Sequence, residues 1–244
     1  MRAHAYTVAG PLGVFVLWEL VVRALGVPVY VLPAPSAIAV KVFADSALIA
    51  DGLWLTLMEA TVGYAIGAAG ALLIAMAFVL WPRLERVGLP GLVALNSVPV
   101  VAFAPVALLW FGSGPASKVA LVTMAVGFAV FVNAHQGLRS VDESAANLLR
   151  SFGAGPLRQM AMLRLPAALP SIMNGLRVAV VRSMIVAIVA EMLAAFKGLG
   201  ATIFESTQQV DFLRAWAAIA VASLASMVWY GIVNWIDHRF VFWR

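Results

Sequence analysis

Val141-Asp142-Glu143-Ser144-Ala145-Ala146-Asn147-Leu148-Leu149-Arg150-Ser151-Phe152-Gly153, followed after nine residues by Leu163-Arg164-Leu165-Pro166, lies between two long apolar segments. Its polar and charged residues predict a short helix outside the lipid, where water or protein can satisfy them. Leu148, Leu149 and Phe152 are spaced so that they share a small apolar face of that helix. Such a face is typical of a helix that inserts into a groove of a soluble partner. The alternative is an amphipathic helix that lies on the membrane surface.

The composition predicts an integral membrane protein. Hydrophobic residues make up 64% of the 244 residues and charged residues only 11%, against about 25% charged residues in a typical soluble domain. The chain has no cysteine, which excludes a disulfide framework, and its three histidines are too scattered to predict a metal site. The net charge of +5 comes from basic residues beside apolar segments, so we expect contact with lipid headgroups and no binding of nucleic acid.

Six apolar segments are long enough to approach the about 20 residues that cross a bilayer. They run over residues 8–25, 53–81, 89–111, 119–133, 169–195 and 215–236. The fourth is short, and the third contains Pro99 and Pro105, which we expect to bend it. In the second, Gly63 and Gly67 form a small-residue pair that predicts close packing against another helix. The segment 197–214 is too polar to cross and is expected to form a short surface helix, which either touches a binding protein or serves as a spacer.

The distribution of lysine and arginine predicts the orientation, because basic residues favour the cytoplasmic side of a membrane. With the amino terminus inside, nine basic residues fall inside and five lie at or near the outer ends. The inside group is Arg2, Arg83, Arg86, Arg139, Arg150, Arg158, Arg164, Arg239 and Arg244, and the outside group is Arg23, Lys41, Lys118, Lys197 and Arg214. Both termini are therefore expected in the cytoplasm, as is the 141–153 helix.

The 141–153 run and its Leu-Pro ending resemble the cytoplasmic signature of the membrane permeases of binding-protein-dependent ABC importers. Further stretches are similar to the nitrate, sulfonate and taurine group of these permeases: Leu32-Pro33-Ala34-Pro35-Ser36, Leu109-Trp110-Phe111-Gly112, Ala116-Ser117-Lys118-Val119, Ala190-Glu191-Met192 and Gly198-Leu199-Gly200. The resemblance implies an all-α integral membrane protein with the type I ABC importer permease fold. It implies six transmembrane helices in a single domain over residues 1–244, with a coupling helix at about 141–153 between the fourth and fifth spans.

The resemblance also implies partners and a docking site. The expected partners are two copies of an ABC ATPase, a periplasmic or lipid-anchored substrate-binding protein, a second permease copy in a homodimer, and the lipids of a bacterial inner membrane. Because the sequence has no phosphate-binding loop of the Gly-x-x-x-x-Gly-Lys type, ATP and Mg²⁺ are expected on the ATPase, and this chain is expected to bind no cofactor and catalyse no reaction. The expected docking residues are Asp142, Glu143, Asn147, Leu148, Leu149, Arg150, Ser151, Phe152, Gly153, Leu165 and Pro166.

One position departs from the pattern of the resembled family. Aligned on Gly153 and Pro166, the family's Glu-Ala-Ala falls on Asn147-Leu148-Leu149. An amide therefore replaces the acidic residue. Asp142 and Glu143 are the nearest carboxylates that could supply the missing charge.

Ionisable residues inside spans are costly and mark functional or paired positions. Glu59, Arg182 and Glu191 are of this kind: Arg182 either pairs with one of the two carboxylates or attracts an anion in the translocation path. With Asn96 and Pro99 of the bent span, these three form our set of path candidates. The expected substrate is a small anion such as a sulfonate, taurine or nitrate, with a pyrimidine or riboflavin-type vitamin precursor as the alternative. A different class remains open, an ATP-independent secondary transporter or channel that uses Glu59, Arg182 and Glu191 as an ion relay.

Overall fold

The computed structural model describes residues 2–194 and 196–240. In this part of the chain every regular element is a helix. The α-helices are α1 (Arg2–Ala24), α2 (Pro35–Ala44), α3 (Ser46–Leu80), α4 (Pro82–Ser97), α5 (Ala104–Phe111), α6 (Pro115–Arg139), α7 (Glu143–Ser151), α8 (Pro156–Gln159), α9 (Leu165–Ala194), α10 (Leu199–Gln208) and α11 (Phe212–Phe240). A 3₁₀ turn, Val100–Phe103, joins α4 to α5, and a π-helical turn, Met160–Arg164, joins α8 to α9.

Three helices, α3, α6 and α11, are long and apolar enough to cross a membrane, and the bent pair of α4 with the segment 100–111 could form a fourth crossing. Helices α1 and α9 have 23 and 30 residues, or about 35 and 45 Å at 1.5 Å per residue. All six predicted segments therefore coincide with a long helix or with the bent pair, except that residue 195 lies outside the described residues. The count of six crossings stays a prediction.

Helix α6 lies at the centre of the molecule, packed between α3 and α9. The contact with α3 requires small residues: a Cβ on Gly63 would lie 2.6 Å from the Cβ of Val122, and one on Gly67 would lie 2.7 Å from the carbonyl oxygen of Thr123. The predicted role of this glycine pair in helix packing is confirmed. Around this contact the core is built from side chains of α3, α6 and α9 that are removed from solvent.

The predicted bend in the third span occurs at Pro99. Helix α4 ends at Ser97, and the following segment turns by 90°. Pro99 cannot donate a backbone hydrogen bond, so the helix cannot continue through it. Pro105 does not bend the span, because it lies in the first turn of α5, where the missing N–H would have no partner in any case.

The predicted helix after α9 is confirmed as α10, but its surface position is not. Leu199, Thr202 and Ile203 are buried, because α10 packs against α9, α11 and α3. Beside it, a network of charged groups joins α2 to α11. Nζ of Lys41 lies 3.2 Å from Asp45 and 3.2 Å from Asp211, and Nε of Arg214 lies 2.6 Å from Asp45.

Candidate functional site

Helix α7 is fixed at both ends by its own sequence. At the start, the side chain of Asp142 accepts a hydrogen bond of 3.2 Å from the backbone N–H of Ser144 and so satisfies one of the free donors there. At the end, Gly153 has φ of 77°, and the N–H groups of Gly153 and Ala154 donate to the carbonyls of Arg150 and Leu149. This is a Schellman cap, which favours glycine at its left-handed position. The fixed glycine of the motif therefore sets where α7 ends.

The exposed face of α7 carries the predicted apolar side chains in part. Leu148 is 58% exposed and Phe152 is 77% exposed, while Leu149 is half-buried. Leu157 at the start of α8 is 73% exposed and extends the apolar surface. Ala146, on the opposite side of α7, is buried. We call Leu148, Phe152 and Leu157 the docking face.

Asn147 points away from the docking face. It lines a polar pocket of about 440 Å³ between α7 and the neighbouring ends of α3, α4 and α6. Its Oδ1 accepts a hydrogen bond of 3.3 Å from Nη1 of Arg150. Glu143, Arg139 and Arg164 line the same pocket. A carboxylate at position 147 would therefore meet Arg150 at the mouth of this pocket, and the amide keeps a neutral form of that contact.

The Leu-Pro ending of the motif lies at the start of α9, after the π-helical turn. Leu165 packs against the central core, whereas Pro166 is exposed. Arg164 donates a hydrogen bond of 2.9 Å from Nη1 to the carbonyl oxygen of Leu138 at the end of α6. This contact joins the end of α6 to the π-helical turn before α9. Leu165 therefore belongs to the core of the bundle and not to the exposed side of α7.

Glu191 lies in a buried polar cluster at the opposite end of the bundle from α7. The residue is fully buried, and its carboxylate accepts a 2.7 Å hydrogen bond from the hydroxyl of Thr56 and another of 2.7 Å from the backbone N–H of Gly200. The N–H of Leu199 donates in turn to the Thr56 hydroxyl at 2.9 Å. Gly198 has φ of 113°, and a Cβ there would collide with the Glu191 carboxylate. These contacts join α3, α9 and α10.

Glu59 and Lys118 complete this cluster. Glu59 is 2% exposed and lies within hydrogen-bonding reach of Glu191. Lys118 is also 2% exposed, and its Nζ contacts the carbonyl oxygens of Ser113 and Gly114 and interacts electrostatically with both carboxyl groups. We call Thr56, Glu59, Lys118 and Glu191 the buried cluster. Lys118 was not among the predicted path residues. The sequence indicates its role, because an ionisable residue in the first turn of a span needs a partner.

The remaining path candidates lie apart from the buried cluster. Arg182 is exposed on α9, and no ion pair with it occurs among residues 2–194 and 196–240. The expected alternative in which Arg182 pairs with Glu59 or Glu191 is therefore not the arrangement found, because the two carboxylates face Lys118 and Thr56 instead. Pro99 lies at the bend, and Asn96 lines an apolar pocket of about 310 Å³ between α3, α4 and α6.

Arg182 shares its exposed side of α9 with further residues. Asn174, Val178 and Ile185 are exposed at steps of about one turn along the helix. On a helix that crosses a membrane, as predicted for α9, an exposed arginine and an exposed asparagine are costly in contact with lipid. We therefore expect this side of α9 to face water or another protein chain.

Comparison with solved structures supports the fold. The chain is similar to a chain in a structure of inward-facing conformations of the MetNI methionine ABC transporter, with a TM-score of 0.71 and 16% identity over 81% of this chain and 98% of that chain. At this level of identity the likeness concerns the fold alone. It shows the type I ABC importer permease architecture.

Sequence comparison supports the family. Residues 67–242 match the family described as binding-protein-dependent transport system inner membrane component. A relative from Haemophilus influenzae named as an ABC transporter permease is 32% identical over 92% of both chains. The formylaminopyrimidine transport permease ThiX of Halalkalibacterium halodurans is 32% identical over 94% of this chain and 92% of its own, and a relative from Bacillus subtilis named for aliphatic sulfonates, SsuC, is 28% identical over 96% and 86%. With its helical fold and its capped α7, this chain belongs to the family of inner-membrane permease components of binding-protein-dependent ABC transport systems.

Proposed function

We propose that the chain forms the membrane path of an ATP-driven importer for a small solute with an oxyanion group, delivered by an external binding protein. The observation that carries the ATP-driven part is the docking face. Leu148 and Phe152 stand exposed on a helix that is capped at both ends. A rigid apolar face of this kind transmits the movement of a partner that holds it.

The partner we propose for the docking face is an ABC ATPase, present in two copies and carrying ATP and Mg²⁺. Family membership implies an ATPase and a substrate-binding protein as partners, and the capped α7 is the exposed element suited to the ATPase. In this arrangement α7 and both chain termini lie in the cytoplasm, and α10 lies near the outer surface. The excess of arginine around α7 supports this orientation. Arg244, one of the nine arginines predicted to lie on the cytoplasmic side, is outside the described residues.

A second copy of the chain would complete the path. The exposed side of α9 carries Asn174 and Arg182, which would be costly against lipid. In a symmetric homodimer the same surfaces of two copies face each other across a two-fold axis. A water-filled path on that axis would accommodate both residues.

The proposed substrate class rests on Arg182. An exposed guanidinium in a region of low dielectric attracts anions strongly, which favours a sulfonate, taurine or nitrate-like solute. The SsuC relative, named for aliphatic sulfonates, agrees with this class. The ThiX relative, named for formylaminopyrimidine, supports the second candidate, a pyrimidine or flavin-type vitamin precursor.

The ATP-independent alternative has less support. It required Glu59, Arg182 and Glu191 to act together as an ion relay. In the structure, Glu59 and Glu191 contact each other and Glu191 contacts Thr56 and Gly200, and Arg182 takes part in none of these contacts. The two carboxylates are instead part of the buried cluster. Their contacts hold helices together and leave no exposed carboxylate beside Arg182 on α9.

The proposal is tested by ATP hydrolysis of the complete complex, reconstituted with its ATPase and binding protein in lipid nanodiscs. A panel of ligands is added in turn: taurine, an alkanesulfonate, nitrate, a formylaminopyrimidine and riboflavin. We expect stimulation by an oxyanion through the binding protein. Stimulation by the formylaminopyrimidine or riboflavin alone would show that the substrate is a vitamin precursor and not an oxyanion. Stimulation by no ligand, in a complex whose ATPase is active, would contradict the proposed substrates.

A further inference from the structure

A third pocket opens between α6 and α9, towards the end of the bundle that carries α7. It has a volume of about 420 Å³, and its lining is almost entirely polar: Asn133, Gln136, Ser140, Ser171, Asn174 and Arg177. None of these residues belongs to the docking face or to the buried cluster. The pocket therefore needs an explanation of its own.

The side chains of the pocket are held in place by hydrogen bonds. Nδ2 of Asn174 donates to Oδ1 of Asn133 at 3.1 Å, and Asn133 in turn donates to the carbonyl oxygen of Ala129 at 2.9 Å. Because both amides are oriented by neighbours, they present a fixed polar surface. Fixed donors bind a solute at lower entropic cost than mobile side chains do.

Arg177 is held from behind by α11. Its Nη1 lies 3.1 Å from Oδ2 of Asp237, which is 1% exposed, and 3.3 Å from Oδ1 of Asn234. The other terminal nitrogen, Nη2, lies 3.5 Å from Oδ1 of Asn174, on the pocket side. Nη1 is thus anchored to α11, whereas Nη2 makes only a long contact, with Asn174, on the side where a ligand in the pocket would meet it. A guanidinium edge matches the oxygens of a carboxylate, sulfonate or phosphate group.

The position of the pocket makes contact with lipid costly. Gln136 and Asn174 are exposed, and Asn174 lies nine residues into α9, about 14 Å along the helix. Polar side chains at such positions face a protein interior or a water-filled cavity. Asn174 also lies on the same side of α9 as Arg182, eight residues away.

We infer that this pocket is an inner binding site of the translocation path, in which Nη2 of Arg177 and the amide groups of Asn133 and Asn174 hold the oxyanion group of the solute after it has passed Arg182. The inference rests on the proposed function and adds to it a second, cytoplasm-side site. The two arginines, five residues apart on α9 and so separated by about one and a half turns, then form successive positions for one anion. Because Asp237 neutralises part of the charge of Arg177, this site releases the anion more readily than an unpaired arginine would.

The absence of native cysteine allows a direct test by single thiols. Asn174→Cys places a thiol in the pocket. Ile232→Cys is a control at matched depth, because Ile232 lies two residues from Asn234, the contact of Arg177, and is 51% exposed on a different side of α11. Both variants are purified as the nucleotide-free complex in nanodiscs. Each variant is treated with an anionic and with a cationic methanethiosulfonate. The labelling rate of the cysteine by each reagent is divided by the rate at which the same reagent reacts with a free small thiol.

We expect Asn174→Cys to react and Ile232→Cys to remain almost unreactive, since water reaches only the pocket. The anionic reagent should be favoured about tenfold at Asn174→Cys because of the nearby guanidinium. Arg177→Gln should abolish this preference. Because that change removes one contact of the buried Asp237, the combined Arg177→Gln/Asp237→Asn variant is measured as well and should give the same loss, while Arg177→Lys should keep the preference.

Equal reactivity of Asn174→Cys and Ile232→Cys, or equal rates with the two reagents, would overturn the inference. These outcomes differ from a failure of the proposed function, since the labelling needs neither ATP hydrolysis nor a known substrate. A complex that lacks ligand-stimulated ATPase but shows anion-selective labelling would keep the site and refute the importer assignment. A complex with ligand-stimulated ATPase but no anion-selective labelling would refute the site and keep the importer assignment.

Discussion

The carboxylate of Glu191 on α9 accepts a hydrogen bond of 2.7 Å from the backbone N–H of Gly200 in the first turn of α10. An oxygen acceptor at this position satisfies one of the free N–H donors at the start of the helix. Gly198 and Gly200 permit the approach, because a Cβ on either would collide with Glu191 or with the carbonyl oxygen of Ile188. The spacing of the Ala-Glu-Met and Gly-Leu-Gly stretches thus has a structural reason. The contact of Glu191 with the first turn of α10 holds α10 against the bundle.

Thr56→Val tests the contribution of the buried cluster to stability. The variant keeps the shape of the side chain but removes the hydroxyl that donates to Glu191 and accepts from Leu199. Leaving buried polar groups unsatisfied costs about 1–3 kcal/mol. We therefore expect a lower melting temperature of the purified complex. Thr61→Val, an exposed position on the same helix, is the control, and equal melting temperatures for the two variants would refute the role of Thr56.

Arg182→Gln separates the path role of Arg182 from a structural one. Because Arg182 is exposed and no ion pair with it occurs in the described part of the chain, its loss should leave the melting temperature unchanged. Transport of an oxyanion should fall, on the order of tenfold, since the positive charge that offsets anion desolvation is lost. Arg182→Lys should retain part of the transport. Normal uptake by Arg182→Gln would exclude the path role.

Phe152→Asp tests the docking face. A carboxylate buried against the ATPase without a partner is costly, so the ATPase should dissociate from the variant during affinity purification of the tagged permease. Asn147→Glu is the matched control on the same helix. Its side chain lies on the pocket side of α7, where a carboxylate would pair with Arg150, and it should retain the ATPase. Retention of a coupled ATPase by Phe152→Asp would disprove docking at this face.

The charged network at the α10 end predicts a pH dependence of stability. The hydrogen bond from Arg214, aided by Lys41, lowers the pKa of Asp45 despite its partial burial. A carboxylate whose pKa is lower in the folded state stabilises that state above the ordinary carboxyl pKa of about 4, and this contribution is lost as the pH falls through the lowered value. The melting temperature of the wild type should therefore exceed that of Asp45→Asn near neutral pH, and the difference should shrink in acid. A difference that stays constant with pH would refute the assignment.

The helices and the motif could be predicted from the sequence because both depend on local patterns. Apolar length predicted the long helices, Pro99 predicted the break between α4 and α5, and the position of Gly153 predicted the end of α7. Each of these features is determined by residues close together in the chain. The predicted packing role of Gly63 rested on the same kind of local spacing.

The pairing of ionisable groups could not be predicted in this way. One of the two expected alternatives paired Arg182 with Glu59 or with Glu191, but Glu191 meets Thr56, more than 130 residues away in sequence. Which carboxylate faces which cation depends on the rotation of α3, α6 and α9 about their axes, and this is set by packing at positions such as Gly63 and Val122. The burial of α10 was missed for the same reason, because its polar composition does not reveal that Leu199 and Ile203 face the bundle.

In the proposed mechanism this chain moves its solute only when a partner ATPase acts through α7. Uptake of a radiolabelled solute is therefore measured in proteoliposomes that hold the permease and its ATPase, with ATP inside and the loaded binding protein outside. Both the wild type and Phe152→Asp are measured. We expect uptake by the wild type that requires ATP, the ATPase and the binding protein, and no uptake by Phe152→Asp. Uptake that proceeds without ATP or without the ATPase, driven by an ion gradient alone, would disprove this mechanism.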